Sequence, residues 1–172
     1  MIASAGFSPR PIVTSPELSL VVPLFNEEEN LAELAREIRQ ALAPVTERYE
    51  ILFVDDGSTD GSLEVLRRLA ADEPRIRILR HRRNAGQSAG LAAGFGAARG
   101  RIVVTLDADL QTDPSDIPRL LAELERGFDV VSGVRVERWW DALDAPRLAP
   151  ADWADEGAVA DTILAKLETA VR

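Results

Sequence analysis

Short continuous apolar runs alternate along this chain with longer stretches in which apolar residues recur every three or four positions. Leu18–Val22, Ile51–Val54, Ile76–Leu79 and Ile102–Leu106 are short enough to be strands buried on both faces, and Phe128–Val131, closing at Ser132-Gly133, reads as a fifth. Pro23 is expected to break the first strand. Between the runs, Glu28–Ala43 places Leu31, Leu34, Ala35, Ile38 and Leu42 at helical spacing, with acids in its first turn. Gly61–Ala71 carries Leu63, Leu66 and Leu69, with Asp60 as the predicted N-cap. Ala85–Arg99 reads as a helix of small residues, and Asp113-Pro114 starts another that runs to Glu125, with Asp113 as N-cap and Pro114 at N1. Strands alternating with helices predict an α/β protein, with a mostly parallel sheet covered by helices on both faces.

Composition narrows the chemistry. The chain has 172 residues, 46% of them hydrophobic and 28% charged, as expected of one globular domain. It has no cysteine and a single histidine, His81, which excludes disulfides, thiolate chemistry and a multi-histidine metal site. No apolar run is long enough to cross a bilayer, and the first sixteen residues, with Pro9, Pro11 and Pro16, read as a loose leader. A net charge of −9 argues against nucleic acid as a partner. The charge is uneven. Arg75, Arg77, Arg80, Arg82, Arg83, Arg99 and Arg101 fall in a stretch without an acid, either a solvated rim or a surface that attracts an anionic substrate or lipid headgroup.

The candidate chemistry sits where strands end. Asp107-Ala108-Asp109 follows the run Ile102–Leu106, so alternation along a strand aims Asp107 and Asp109 at one spot at its carboxyl end, where open α/β sheets bind ligands. Two converging carboxylates repel each other and call for a hard divalent cation. Asp55 and Asp56 end the second strand, where a carboxylate accepts a hydrogen bond from a base imino N–H, and Gly57-Ser58-Thr59-Asp60-Gly61 follows as a turn. Gly86, Gly90 and Gly94 recur every four residues, a spacing best explained by close helix packing. Gly94-Phe95-Gly96 with Gly100 superficially matches a dinucleotide fingerprint, but its third glycine is one place late and it ends a helix. An aspartyl-phosphate phosphatase also places Asp-x-Asp after an apolar strand, yet Gln111 stands where that chemistry wants Thr or Val.

Taken together, Val22-Pro23 with Asn26-Glu27, Val54 through Gly61, Arg83-Asn84-Ala85-Gly86, Leu106 through Gln111 with Pro114, and Val131-Ser132-Gly133-Val134-Arg135 resemble the family 2 glycosyltransferases of GT-A (Rossmann-like) fold. The polyprenyl-phosphate (dolichol-phosphate) mannosyl- and glucosyltransferase branch is the most similar. The resemblance spans about residues 18–138. It implies that Pro23, Phe25, Asn26, Glu27, Val54, Asp55, Asp56, Ala108 and Asp109 bind a nucleotide diphosphate sugar. Asp107 and Asp109, assisted by Gln111, would hold Mg²⁺ or Mn²⁺, and Arg135 would meet the diphosphate or the acceptor phosphate. Phe25 stands where the family often has Tyr, which keeps ring stacking and drops a hydroxyl. The implied reaction is inverting transfer of a hexose from a GDP-mannose or UDP-glucose type donor to a polyprenyl phosphate, with Asp107, Asp109 and Arg135 as the catalytic set.

The pattern fails after Arg138. No Ser-Arg-x-x-Asn follows, all three tryptophans lie beyond this point, and residues 141–172 carry seven acids against three bases. The expected organisation is a leader over 1–16, a nucleotide-sugar-binding domain over 17–138 with its acceptor side incomplete, and an acidic tail over 139–172. That tail is predicted to end in an amphipathic helix over 154–172, with Val159, Ile163, Leu167 and Val171 on one stripe. Two readings differ in class: a glycosyltransferase working peripherally at the cytoplasmic membrane face, with a membrane-anchored partner or a second copy of the chain as its helpers, or a nucleotide-sugar-binding protein without turnover.

Overall fold

The computed structural model describes residues 15–133. Arg135, the tail over 139–172 with its predicted helix, and most of the predicted leader lie outside them. The elements are β1 (Leu18–Leu24), α1 (Leu31–Leu42), β2 (Tyr49–Asp55), α2 (Ser62–Asp72), β3 (Ile76–Arg80), α3 (Gln87–Ala97), β4 (Ile102–Thr105), a single 3₁₀ turn at Pro114–Asp116, and α4 (Ile117–Leu124). The four strands form one parallel sheet in the order β3-β2-β1-β4. The chain therefore winds outward from β1 through β2 to β3, then returns through α3 to lay β4 on the other side of β1. The order reverses between β1 and β4, and the crevice at the carboxyl ends of those two strands is where such sheets bind ligands.

Burial follows the pleat. Val21, Leu52 and Val54 cluster on one face, with Leu79 and the α3 residues Leu91, Ala93 and Ala97 packed against them. Leu20, Val22, Ile51 and Phe53 alternate to the opposite face and are fully buried, as are Leu31, Leu34 and Ile38 of α1 and Leu66 of α2. Each such side chain contributes about 1.5–3 kcal/mol relative to exposure. The glycines of α3 set how closely it approaches. A Cβ on Gly94 would sit 2.2 Å from Val21 Cγ1, and one on Gly90 3.2 Å from Pro23 Cβ. Packing thus accounts for Gly90 and Gly94. Gly86 differs: it precedes α3 at φ +91°, a conformation that glycine adopts without strain, and nothing lies near its missing Cβ.

Buried polar groups fasten the opposite ends of the strands. Glu50 accepts from Ser19 Oγ at 2.7 Å, Arg77 Nη1 at 2.7 Å and the Arg99 N–H at 2.8 Å, and Gly100 N–H donates to Ser19 Oγ at 2.8 Å. This network closes the turn from α3 into β4. It also uses one of the seven arginines. Arg75 pairs with Glu73 and Glu47, and Arg80 with Asp55. The exposed remainder divides between the carboxyl ends of the strands (Arg82, Arg83) and the amino end of β4 (Arg99, Arg101), so the seven do not form one continuous basic surface.

Four local expectations need correction. Pro23 does not end β1. Val21 O accepts from Leu106 N–H, and the β4 ladder stops at Val21↔Thr105, so the N–H that proline lacks has no ladder partner to lose. Asp60 precedes the N-cap position, which Gly61 occupies, although Asp60 Oδ1 still accepts the Ser62 N–H at 3.0 Å. β4 stops at Thr105, one residue short of the expected end. Residues 128–131 form no strand: Phe128 and Val130 are exposed, and no neighbouring strand pairs with them among the described residues. Asp113 caps as expected, its Oδ1 accepting the Ser115 N–H at 2.8 Å with Pro114 following. Residues up to Ile117 form one unit, and those from Pro118 belong to a second, in which the segment after α4 turns at Gly127 with φ +103°.

Candidate functional site

Two loops meet at the carboxyl edge of the sheet and lock together through side chains. Asn26, held at φ +59°, offers Oδ1 to the Thr59 N–H at 2.8 Å, and Ser58 Oγ accepts the Asn26 N–H at 2.9 Å. Ser62 Oγ accepts the Glu27 N–H at 3.0 Å, and Glu28 Oε2 the Gly61 N–H at 2.9 Å. Asp55 is fully buried, with Oδ1 on the Ser58 N–H at 2.8 Å. Its Oδ2 lies 3.2 Å from Arg80 Nε yet lacks an aligned hydrogen bond, so the contact is one of charge. The polar residues after β1 and β2 thus serve largely to join the β1–α1 loop to the β2–α2 loop.

Asp56 turns the other way. Its carboxylate accepts the N–H groups of Ala85 at 2.9 and 3.0 Å and of Gly86 at 2.7 Å, and meets His81 Nδ1 at 2.7 Å. Burial pushes its carboxyl up, but the Ala85 and Gly86 N–H groups and the His81 ring outweigh this and hold it below the ordinary value.

After β4 the alternation of the strand persists although the ladder has ended. Leu106 and Ala108 are buried, while Asp107 and Asp109 are turned toward solvent. Gln87 Nε2, from the first turn of α3, donates to Asp107 Oδ1 at 2.8 Å, and Asp109 Oδ1 accepts the Gln111 N–H at 3.0 Å. Leu110 then bends the chain at φ +59°, a strained conformation for leucine.

These segments enclose a pocket of about 390 Å³ at the β1–β4 crevice. Pro23 and Leu24 line it from the end of β1, Phe25 and Glu27 from the loop that follows, and Asp56 from just past β2. Asn84, Gly86 and Gln87 line it from the start of α3 and the loop before it, and Asp107, Ala108 and Asp109 from the segment after β4. Of the residues expected to contact a nucleotide sugar, Asn26, Val54 and Asp55 are placed elsewhere. Asn26 is tied to Thr59, Val54 lies in the core, and Asp55 is buried beside Arg80. Gln111 is not part of the lining, and its backbone N–H serves Asp109. Leu24, Asn84, Gly86 and Gln87 join the site without having been singled out for it. For Asn84, Gly86 and Gln87 the sequence signal is the Asn-Ala-Gly-Gln run, whose glycine the four-residue spacing assigns to packing; Leu24 carries no such signal.

Four carboxylates (Glu27, Asp56, Asp107, Asp109) and no Lys or Arg line the pocket among the described residues. No cluster of three His, Cys, Asp or Glu there makes a complete metal cage. Asp107 and Asp109 offer a hard divalent cation two oxygen donors, which suits Mg²⁺ or Mn²⁺ completing its coordination with phosphate oxygens and water.

Residues 19–155 match the glycosyl transferase family 2 pattern. The chain belongs to that family. It is 47% identical over 128 residues to an undecaprenyl-phosphate 4-deoxy-4-formamido-L-arabinose transferase of Pseudomonas fluorescens, covering 73% of this chain and 37% of that protein. A dodecaprenyl-phosphate galacturonate synthase of Rhizobium johnstonii is 45% identical over 128 residues, 73% of this chain and 38% of its own length. This family 2 chain thus spans well under half the length of these relatives. Among solved structures it superimposes on a Pyrobaculum calidifontis mannosyltransferase in complex with GDP-Man and Mn²⁺, with a TM-score of 0.52 and 28% identity over 63% of this chain and 32% of that one. The parallel sheet and its helices are those of the GT-A fold. No helix among the described residues is long and apolar enough to cross a membrane.

Proposed function

We propose that the pocket binds a nucleotide diphosphate sugar together with Mg²⁺ or Mn²⁺, and that the protein transfers the sugar, with inversion, to a polyprenyl phosphate at the cytoplasmic face of a membrane. The observation that carries this reading is the charge of the pocket, four carboxylates and no cationic side chain among its described lining residues. A diphosphate enters such a site only with a counter-cation, and Asp107 and Asp109 are the pair to hold it. The relatives named for undecaprenyl- and dodecaprenyl-phosphate support the acceptor class, and the neighbour with GDP-Man and Mn²⁺ supports the donor and the metal.

In this reading Phe25, half-exposed at the pocket wall, stacks on the base, and Asp56 accepts its imino N–H. Pro23, Glu27 and Ala108 shape the pocket around the nucleoside and the sugar. Asn26, Val54 and Asp55 act from behind, holding the two loops and the sheet edge on which the pocket stands. Asp107 and Asp109 fix the diphosphate through the cation, Gln111 steadies Asp109, and Arg135 meets the diphosphate or the acceptor phosphate. The bound cation supplies charge stabilisation for the departing nucleoside diphosphate. A lipid phosphate, with a second pKa of about 6, is mostly ionised at neutral pH and needs little help from a base. This agrees with a pocket that His81 does not line.

The test is transfer of labelled sugar from GDP-mannose, and separately from UDP-glucose, to a polyprenyl phosphate with Mn²⁺ or with EDTA, run beside nucleotide binding. We expect metal-dependent glycolipid from one donor, and loss of both product and metal-dependent nucleotide binding in Asp109→Asn. Nucleotide binding that EDTA and Asp109→Asn leave unchanged would overturn the metal assignment. Binding without product would reduce the function to nucleotide-sugar binding.

A further inference from the structure

The β2–β3 ladder ends with Asp55 opposite Arg80, and the His81 N–H donates to the Asp55 carbonyl at 2.9 Å. One step past the ladder, this register sets His81 beside Asp56, and their side chains meet at 2.7 Å, Nδ1 to Oδ1. Asp56 lines the pocket and His81 does not. An ionised carboxylate has about four acceptor sites. His81, Ala85 N–H and Gly86 N–H supply three donors to Asp56. They leave about one site for a ligand.

The torsion that turns an aspartate carboxylate is broad and roughly two-fold, so donors at one side alone do not fix its plane. Gly86 holds Oδ2, the Ala85 N–H is shared between Oδ1 at 2.9 Å and Oδ2 at 3.0 Å, and His81 adds the side-chain donor on Oδ1 at 2.7 Å, from the side opposite Gly86. We propose that His81, the chain's only histidine, is a positioning residue for base recognition: it fixes the Asp56 carboxylate so that its remaining acceptor site takes the imino N–H of uracil or guanine. The proposal rests on the donor-site reading above. Cytosine and adenine offer no imino N–H, so His81 acts on the choice of base more than on affinity for the diphosphate.

Calorimetric titration of UDP, GDP, CDP and ADP with Mn²⁺ tests this in the full chain and in His81→Ala, His81→Asn and His81→Gln, with thermal melts alongside. The Asn amide nitrogen reaches about where imidazole Nδ1 lies, whereas the Gln amide lies one bond further out. We expect the parent to prefer UDP or GDP to CDP and ADP. His81→Ala should lower that preference about tenfold, the scale of one hydrogen bond to a charged group. His81→Asn should restore most of it, and His81→Gln should not. A preference that survives in His81→Ala overturns the proposal. So does a uniform loss for all four nucleotides that His81→Asn fails to restore. If His81→Ala does not fold, an equal preference in the Asn and Gln variants overturns it. A parent that binds no nucleotide overturns the donor-site reading itself, and one that binds without base preference overturns the recognition by Asp56.

Discussion

Gln87 and Asp107 stand twenty residues apart in the chain and share one hydrogen bond at the pocket wall. That bond orients a carboxylate proposed to hold the cation, and it comes from a helix whose sequence suggested only packing. Because the contact is exposed to solvent, its net worth is about 1 kcal/mol. Gln87→Ala should therefore weaken Mn²⁺-dependent nucleotide binding about fivefold while leaving the melting temperature nearly unchanged, as titration calorimetry and a melt will show. An unaltered Kd would mean that Asp107 is oriented by something else. At this scale the sequence was informative about residue type and less so about direction. Asp55 and Asp56 are chemically identical neighbours, yet one turns inward to Ser58 and Arg80 and the other toward His81 and the pocket. Nothing in the dipeptide distinguishes them.

The element that shapes the site is α3, whose glycines serve unlike purposes. Gly94→Ala forces a Cβ to 2.2 Å from Val21, which is fully buried and stiff at χ1 because it is β-branched. Overpacking of this kind costs about 1–3 kcal/mol, more than the roughly 1 kcal/mol that alanine contributes as a better helix former. Gly96, two residues on, has open space where a Cβ would stand. Gly96→Ala should stabilise the protein by about 0.5–1 kcal/mol, and Gly94→Ala should destabilise it. Urea midpoints of the two variants against the parent check both signs at once. β1 and β2 were legible because the centre of a parallel sheet is buried on both faces and leaves near-continuous apolar runs. The outer strands β3 and β4, expected to be buried on both faces, are only partly covered, with Val103 exposed. Phe128–Val131, interrupted by Asp129, is unpaired among the described residues: a short, partly apolar run specifies a strand only when a neighbour supplies the ladder.

For the whole molecule, acid stability depends on carboxylates tied into the frame. Burial pushes Glu50 up, but Arg77, Ser19 and the Arg99 N–H outweigh it and hold it below its ordinary value. Asp56 is lowered in the same way, and Glu73 is lowered chiefly by its hydrogen bonds to Arg75. Groups whose folded values are depressed stabilise the fold above the ordinary carboxylate range, about pH 4, and lose that contribution as pH falls through their folded values. The urea midpoint should therefore hold from neutral pH to about 5 and then drop steadily below about 4. Glu50→Gln should lower the midpoint at pH 7, because Arg77 loses its partner, and should make the acid dependence shallower. An acid dependence identical to the parent's would remove Glu50 from this account.

The order and type of the elements from β1 to α4, the parallel sheet, and the gathering of carboxylates at strand ends were already determined by the sequence. Each follows from local periodicity and from the rule that buried strands are apolar up to the point where they emerge. Which polar residues face the pocket was decided by tertiary structure alone. Asn26 reaches Thr59, Asp56 reaches His81 and Gly86, and Gln87 reaches Asp107 across 33, 25, 30 and 20 positions of chain respectively. A hydrogen bond depends on the distance between two groups in space. Those distances exist only once β1, β2, β3 and β4 lie side by side and bring their loops to a common edge.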